Sequence, residues 1–256
     1  MNIIFQYDLD RLTAYSLNPD NKIEISLGQS YNIFSFLEVG YFNYTFVSNR
    51  QPLATTDLDR IKTFYLQRNI TKHKILISHT DFESATILDS DNDYQHTATI
   101  VKTRFKHQPL HQKMNANDVE FETVDSTNIE QFTITYLNSF DAVDKDYKSV
   151  ARNFKLLLDN KAIQLLLLKS KENIVGINVL YHSNDEVYFA GGAILPEYRN
   201  KGFHKASLAL RINQAMEAEH AKDIISWAYK SSVSVENMLK MKMQVAEEFL
   251  VYEYCK

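Results

Sequence analysis

The chain has 256 residues, of which 45% are hydrophobic and 23% charged, as in soluble globular proteins of one large or two small domains. Its net charge of −4 argues against nucleic acid as the main partner, and no apolar run approaches the roughly 20 residues that span a bilayer. The first residues lack the features of a signal peptide, and the single cysteine, Cys255, excludes an internal disulfide. We therefore expect a cytoplasmic protein with no membrane or nucleic-acid partner.

The first part of the chain, residues 1–106, is predicted to be an α/β domain. Its pattern predicts a strand at 39–47, a helix at 56–68, a strand at 74–78, a helix at 82–88 and a strand at 94–104. Residues 107–117 show little periodicity and are predicted to be a linker. Its two histidines, His107 and His111, have no third ligand nearby, so we interpret them as solvated and expect no metal.

The second part, residues 118–256, is predicted to be one domain with a regular order of elements. A strand at 119–124 precedes helices at 129–140 and 147–159 and strands at 162–169, 174–181 and 187–195. A short loop follows, and then a helix to about residue 219, a strand at 223–229, a helix at 235–243 and a strand at 248–254. The continuous apolar centre of strand 162–169 predicts burial on both faces.

Residues 193–206 form the most informative stretch, because a strand leads into a short basic loop and then directly into a helix. Amides at a helix start and the helix dipole favour an anion, and Arg199, Lys201 and Lys205 add full positive charges. Four of the six glycines of the chain fall in this neighbourhood. The chain contains neither the Gly-x-x-x-x-Gly-Lys-Ser/Thr loop nor the Gly-x-Gly-x-x-Gly loop that bind nucleotide phosphates.

The loop Arg-Asn-Lys-Gly-Phe-His at 199–204 resembles the Arg/Gln-x-x-Gly-x-Gly/Ala pyrophosphate loop of the GCN5-related N-acetyltransferase (GNAT) superfamily. The order of elements over 118–256 is similar to that of the same superfamily. The resemblance implies a mixed, mostly antiparallel sheet flanked by helices, the acyl-CoA N-acyltransferase fold. Residues 1–106 then form either a smaller α/β domain that repeats this plan without its cofactor loop, or an unrelated α+β lid or docking domain.

The resemblance implies that the chain binds acetyl-CoA or another acyl-CoA as co-substrate, with no metal, and acylates a small-molecule amine or a peptide amine. A homodimer is compatible with it. Backbone groups of Ala193, Ile194 and Leu195 are expected to bind the pantetheine arm, together with the side chain of Asn237. The residues expected to hold the pyrophosphate are Arg199, Asn200, Lys201, Gly202, Phe203, His204 and Lys205. His204 stands where the family usually has glycine or alanine, so it either donates a ring N–H to a phosphate or is a solvated loop histidine.

The expected catalytic residues depart from the GNAT pattern. Lys240 stands where the family has a tyrosine acid, so it is either the acid that protonates the leaving thiolate or a solvated lysine. Glu186 is the candidate general base or an exposed acid at a hairpin, and Tyr188 lines the acceptor cleft or packs in the core. The leading function is an acyl-CoA-dependent N-acyltransferase. The alternative is a non-catalytic module that binds acyl-CoA or a protein partner on the same fold.

Overall fold

The computed structural model describes residues 2–48, 51–106, 114, 116, 119–142, 146–217 and 223–256. The helices are α1 (Ile3–Tyr15), α2 (Thr55–Leu66), α3 (Phe82–Ser90), α4 (Ile129–Ser139), α5 (Tyr147–Leu157), α6 (Phe203–Glu217) and α7 (Val233–Lys240). The strands are β1 (Ile23–Leu27), β2 (Tyr31–Phe36), β3 (Tyr44–Val47), β4 (Lys74–Ser78), β5 (Tyr94–Lys106), β6 (Val119–Thr123), β7 (Ile163–Ser170), β8 (Asn173–His182), β9 (Glu186–Ile194), β10 (Asp223–Tyr229) and β11 (Gln244–Tyr254). Short 3-10 helices span Gly40–Phe42 and Pro196–Tyr198.

The chain divides into two compact units that do not follow the predicted boundaries 1–106 and 118–256. The first unit comprises Met1–Asn18, Thr103–Trp227 and Val233–Gln244, and the second comprises Pro19–Lys102, Ala228–Ser232 and Val245–Lys256. Helix α1 therefore belongs with the C-terminal elements, and most of β11 belongs with the N-terminal ones. Of the predicted linker 107–117, only Met114 and Ala116 are described, so His107 and His111 lie outside the described residues.

The first unit is built on the strands β10, β9, β8, β7 and β6, in that order, with the last residues of β5 beside β10. The pairs β6–β7, β7–β8 and β8–β9 are antiparallel, and β9 pairs with β10 in parallel. The run from Leu165 to Leu168 in β7 is buried throughout, as its continuous apolar character predicts. Helices α1 and α4 pack against β9, and α6 packs against β9 from the other face of the strand.

Helix α1 is the element of the first unit that the sequence reading omits. The side chain of Asn2 caps its start by accepting a hydrogen bond from Ile4 N at 3.2 Å. The ring of Phe5 is fully buried and meets Trp227 edge to face, with 5.9 Å between centroids. Asp10 accepts a hydrogen bond of 2.6 Å from the hydroxyl of Tyr181 in β8. These contacts explain why the N-terminal residues group with the C-terminal half.

The second unit carries the strands β1, β2, β3, β4 and β11, in that order, with the first part of β5 next to β11. β3 and β4 pair in parallel, whereas the pairs β1–β2, β2–β3 and β4–β11 are antiparallel. Its core includes Leu58, Ile61 and Tyr65 of α2 packed with Ile75 of β4. The succession β3, α2, β4, α3, β5 matches the succession β9, α6, β10, α7, β11, and both contain one parallel pair.

Two predicted elements are wrong in their bounds for local reasons. The strand expected at 39–47 is a 3-10 turn followed by β3, because the Asn43 side chain accepts a hydrogen bond from Phe36 N at 2.8 Å and turns the chain. Helix α7 ends at Lys240 rather than at residue 243, because Lys242 adopts a left-handed φ of 65° and Met243 N bonds back to Met238 O. Between the predicted strand 39–47 and helix 56–68, residues 49–50 lie outside the described residues.

Candidate functional site

The site begins where β9 and β10 separate. Their parallel pairing covers only three positions, from Asp223 opposite Glu186 to Ile225 opposite Tyr188. The next contact is a hydrogen bond of 3.5 Å from the hydroxyl of Ser226 in β10 to Phe189 O. Beyond Phe189 no pairing of β9 to β10 follows among the described residues, so one edge of β9 opens. Opposite this edge, Ser226 of β10 accepts a hydrogen bond through its carbonyl from Thr103. An open strand edge offers backbone groups that an extended ligand can bind as an added strand.

The register of β9 identifies which amides point into this opening. Leu195 N donates to Val175 O at 3.0 Å, which places Leu195 among the residues that bond to β8. In an antiparallel pair such residues alternate, so Ala193 and Gly191 also turn their amides to β8. The amides of Gly192 and Ile194 therefore face the opening. The backbone amides of Ala193 and Leu195, which the sequence predicts as ligand contacts, therefore turn to β8 inside the sheet. Gly192, which the sequence analysis does not name, has its amide at the open edge.

The loop after β9 is held by its own side chains. Arg199 donates from Nε to Ile194 O at 3.2 Å and from Nη2 to Ser139 O at 2.8 Å, and its Nη2 lies 3.6 Å from Asp141. The ring of Tyr198 meets Phe203 edge to face. Arg199 and Phe203, both predicted to bind pyrophosphate, thus fix the loop in place through their side chains.

The loop then bends through two left-handed residues into α6. Asn200 has a φ of 62° and Gly202 a φ of 85°, a conformation that glycine adopts without strain. A Cβ built on Gly202 meets no atom within 4 Å, so the space next to it is open. The first helical bond of α6 runs from Ala206 N to Gly202 O at 3.0 Å, which leaves the amides of 203–205 without acceptors in the helix. Bare amides beside open space suit an anion.

Exposed cations stand around this helix start. Lys201 and Lys205 are exposed, and the ammonium of Lys201 lies 5.4 Å from the ring centre of Tyr198. Neither lysine forms an ion pair among the described residues. In the part of the chain that the structure describes, no three His, Cys, Asp or Glu side chains group as metal ligands do. The electrostatics of the loop thus favour an anionic ligand.

His204 and Asn237, which are distant in sequence, come together at the start of α6. The side-chain amide of Asn237 donates to His204 Nδ1, with 3.0 Å between the nitrogens. Burial, with a smaller contribution from the charge of Arg211, lowers the pKa of His204 to about 4. The imidazole is therefore neutral at pH 7 with its proton on Nε2, so that it can donate one hydrogen bond. This neutral donor differs from the positive charges of the neighbouring lysines.

A buried arginine lies behind the opening. Arg211 of α6 is only 4% exposed, its Nη1 donates to Gly191 O at 3.3 Å, and its guanidinium lies 4.8 Å from the ring centre of Phe189. Its Nε makes no hydrogen bond, and no carboxylate pairs with it among the described residues. The sequence signal for Arg211 is a charge on the apolar stripe of α6, three residues after Leu208.

The three predicted catalytic residues do not gather at the opening. Tyr188 is buried under α1, with 5.7 Å between its ring centroid and that of Tyr7. Glu186 starts β9, about 13 Å of strand before Ala190. Lys240 ends α7 with an exposed side chain that lies 3.6 Å from Glu236. Tyr188 therefore packs in the core, and Lys240 is a solvated lysine on the surface. Both were alternatives to a catalytic role in the sequence analysis.

Comparisons with known proteins were made by sequence and by structure. No family model matches the chain, and no curated protein matches it. Among solved structures it is similar to a GCN5-related N-acetyltransferase from Kribbella flavida, with a TM-score of 0.69 and 12% identity, covering 100% of this chain and 97% of that one. A functionally unknown conserved protein from Staphylococcus epidermidis ATCC 12228 has a TM-score of 0.67 and 14% identity, covering 93% and 96%.

A tandem GNAT protein from the clavulanic acid biosynthesis pathway is also similar, with a TM-score of 0.63 and 8% identity, covering 95% of this chain and 87% of that one. Identities this low establish the fold alone.

Among the described residues, no helix has both the length and the apolar character needed to cross a membrane. The resemblance predicted from the loop is confirmed: the protein has the mixed, mostly antiparallel α/β fold of the GCN5-related N-acetyltransferases.

Proposed function

We propose that the protein is an acyl-CoA-dependent N-acyltransferase with one active site, in the first unit. The observation that carries the proposal is the open edge of β9, where the amides of Gly192 and Ile194 are free, directly followed by the helix start at Phe203. A strand edge and an anion site in this order suit a ligand with an extended amide-bearing arm and a pyrophosphate. Coenzyme A is such a ligand.

Each part of the site has a separate task in binding. The amides of Gly192 and Ile194 bond the pantetheine arm as a neighbouring strand would. The amides of 203–205 hold the pyrophosphate, and Lys201 and Lys205 add charge. His204, held by Asn237, donates from Nε2. The glycine at 202 leaves the open space that a phosphate group needs.

When bound, acyl-CoA supplies the thioester that a deprotonated amine attacks, with coenzyme A leaving as a thiolate. An amide at the open edge of β9 would stabilise the developing oxyanion. Holding both reactants in one cleft provides rate through proximity, which can reach about 7–11 kcal/mol of the barrier for well-oriented groups. Catalysis by this route requires few dedicated side chains. It is therefore compatible with the positions of Glu186, Tyr188 and Lys240.

A second function, binding of acyl-CoA without turnover, is favoured by one specific observation. The predicted base and acid do not lie together: Tyr188 is buried against α1, and Lys240 is exposed beside Glu236. A binding module on this fold would keep the β9 edge and the loop but lack acid–base groups. Thiol release with a panel of small amines and peptide amines separates the two functions, because only the enzyme releases coenzyme A with an acceptor.

The experiment that tests the binding site is calorimetry with acetyl-CoA on the intact chain and on Gly202→Asp. This substitution forces an aspartate into a left-handed φ and puts a negative charge beside the pyrophosphate. We expect at least a tenfold loss of affinity and an unchanged circular dichroism spectrum. Gly40→Asp is the matched control, because Gly40 is also exposed and also has no atom within 4 Å of an added Cβ.

Three outcomes would contradict the proposal. If acetyl-CoA and longer acyl-CoAs fail to bind the wild-type chain, the site is not a coenzyme A site. If Gly202→Asp binds as tightly as wild type, the pyrophosphate does not lie at this loop. Equal losses in Gly202→Asp and Gly40→Asp would likewise contradict a role of the loop, because they would reflect added negative charge anywhere on the chain.

A further inference from the structure

The buried guanidinium of Arg211 is the group of the first unit that the binding of coenzyme A leaves unexplained. It is 4% exposed, Nε has no hydrogen-bond partner, and no carboxylate pairs with it among the described residues. Burial lowers the pKa of Arg211 to about 9, so the group remains cationic at pH 7. Burying an unpaired charge costs several kcal/mol, which a purely structural role could avoid with an apolar side chain.

The surroundings of Arg211 are arranged to leave donors unused. Asn178 of β8 is fully buried, and its Nδ2 also lacks a partner, while its Oδ1 accepts a hydrogen bond of 2.8 Å from Ser207. A Cβ at position 192 would lie 3.0 Å from Arg211 Nη2 and 3.1 Å from Asn178 Oδ1. Arg211 and Asn178 therefore both pack closely on Gly192, which has no side chain to hold them away from the strand.

The position of this cluster relates it to one end of the proposed ligand. Arg211 lies eight residues into α6, about 12 Å from the helix start where the pyrophosphate is proposed. It meets β9 at Gly191 and Gly192, at the opening from β10. A ligand anchored at the helix start and extended along β9 has its reactive end in this segment. Arg211 also lies on the α6 face of β9, whereas Tyr188 faces α1.

We propose that Arg211, with Asn178, binds a carboxylate at the far end of the acyl group, so that the preferred donors are dicarboxylic acyl-CoAs such as malonyl-CoA or succinyl-CoA. This inference rests on the proposed function, since it places coenzyme A along β9. The guanidinium supplies the charge, and Nε and the Asn178 amide supply unused donors. A carboxylate with two oxygens accepts from both groups, and the pair neutralises the buried charge.

The test compares acyl-CoAs of equal size by calorimetry without an acceptor. Malonyl-CoA and isovaleryl-CoA differ only in that an isopropyl group replaces the carboxylate, and succinyl-CoA and 4-methylpentanoyl-CoA form the second pair. We expect the wild-type chain to bind at least one charged ligand ten or more times more tightly than its isostere. Arg211→Met should abolish that preference and keep the affinity for free coenzyme A, which also shows that the variant is folded.

Two further variants separate the charge from the fold. Arg211→Lys keeps a cation and should retain part of the preference. Gly192→Ala keeps the arginine at position 211 but displaces its guanidinium, because the new Cβ would lie 3.0 Å from Nη2. It should reduce the preference for the charged acyl-CoA, and this result can be obtained even if Arg211→Met fails to fold. Equal binding of each isostere pair by the wild-type chain overturns this inference while the proposed function stands. A preference that survives in Arg211→Met overturns it as well, and failure of every coenzyme A species to bind overturns both.

Discussion

Replacing Phe5 by alanine tests whether α1 belongs to the first unit. Phe5 is fully buried and contacts Trp227 edge to face at 5.9 Å between ring centroids. A buried Phe→Ala change costs about 3–5 kcal/mol, from lost apolar transfer and the cavity left behind. The edge-to-face pair contributes about 0.5–1.5 kcal/mol beyond the area it buries. Because folded proteins are stable by about 5–15 kcal/mol, this one substitution removes a large fraction of that stability.

The assay is urea unfolding followed by tryptophan fluorescence. Trp227 is the only tryptophan of the chain, so the signal reports on the residue that Phe5 touches. With a urea m-value of about 3 kcal/mol per molar, a loss of about 3–5 kcal/mol lowers the midpoint by about 1–2 M. Leu17→Ala is the control, because Leu17 is 73% exposed just beyond α1 and should change stability by less than about 0.5 kcal/mol. Equal midpoints for Phe5→Ala and wild type would refute the packing of α1.

Two further predictions concern a close backbone approach and a buried histidine. Gly176→Ala should destabilise the chain by about 3 kcal/mol or more in the same assay, because the new Cβ would lie 2.2 Å from the backbone oxygen of Ala193. Gly40→Ala is the control and should be nearly neutral, because a Cβ at position 40 meets no atom within 4 Å. Similar urea midpoints for the two variants would contradict the close approach of Gly176 to Ala193. Burial lowers the pKa of His73 to about 4 from an unfolded value near 6.5, so the unfolded chain binds more protons between these values. Its contribution of about 3 kcal/mol is complete above pH 6.5 and is lost as the pH falls to 4. His73→Gln should therefore flatten the loss of stability between pH 7 and 4, the exposed-histidine control His79→Gln should not, and an unchanged pH dependence in His73→Gln would be evidence against a neutral buried ring.

Much of the element order is predictable because periodic segments carry their own signal. The strands β4 and β10 have the predicted bounds, and α4 begins at the predicted residue. Helix α1 is not predicted, because a charged residue interrupts the apolar period of its buried face. Asp8 lies on that face, is only 3% exposed and forms an ion pair with Arg11. The membership of α1 and β11 in the two units depends on contacts between distant segments, which a local pattern does not encode.

The candidate site divides in the same way. The loop 199–204 can be recognised in the sequence because its glycine and the cations beside it lie within a few residues of one another, between a predicted strand and a predicted helix. The open edge of β9 cannot be recognised in the sequence, because it depends on where β10, a strand about 30 residues later in the chain, stops pairing with β9. The contact between Asn237 and His204 likewise joins two helices that are separated in sequence. Arg211 can be noticed in the sequence as a cation at a core position of α6. The residues that surround it cannot be predicted from the sequence in the same way.

Neither unit is a continuous stretch of chain, and this affects the order of folding during synthesis. The second unit contains Pro19–Lys102 but also Val245–Lys256, whose strand β11 pairs with β4 along Phe249–Glu253. While the ribosome is still translating the middle of the chain, β4 therefore lacks this neighbour and its edge stays exposed. The first unit in turn includes α1, which precedes Pro19–Lys102 of the second unit in the chain. The last segments of the two units, Val233–Gln244 and Val245–Lys256, are adjacent in the chain, so neither unit is complete before this region is translated and the edge of β4 stays unpaired until then.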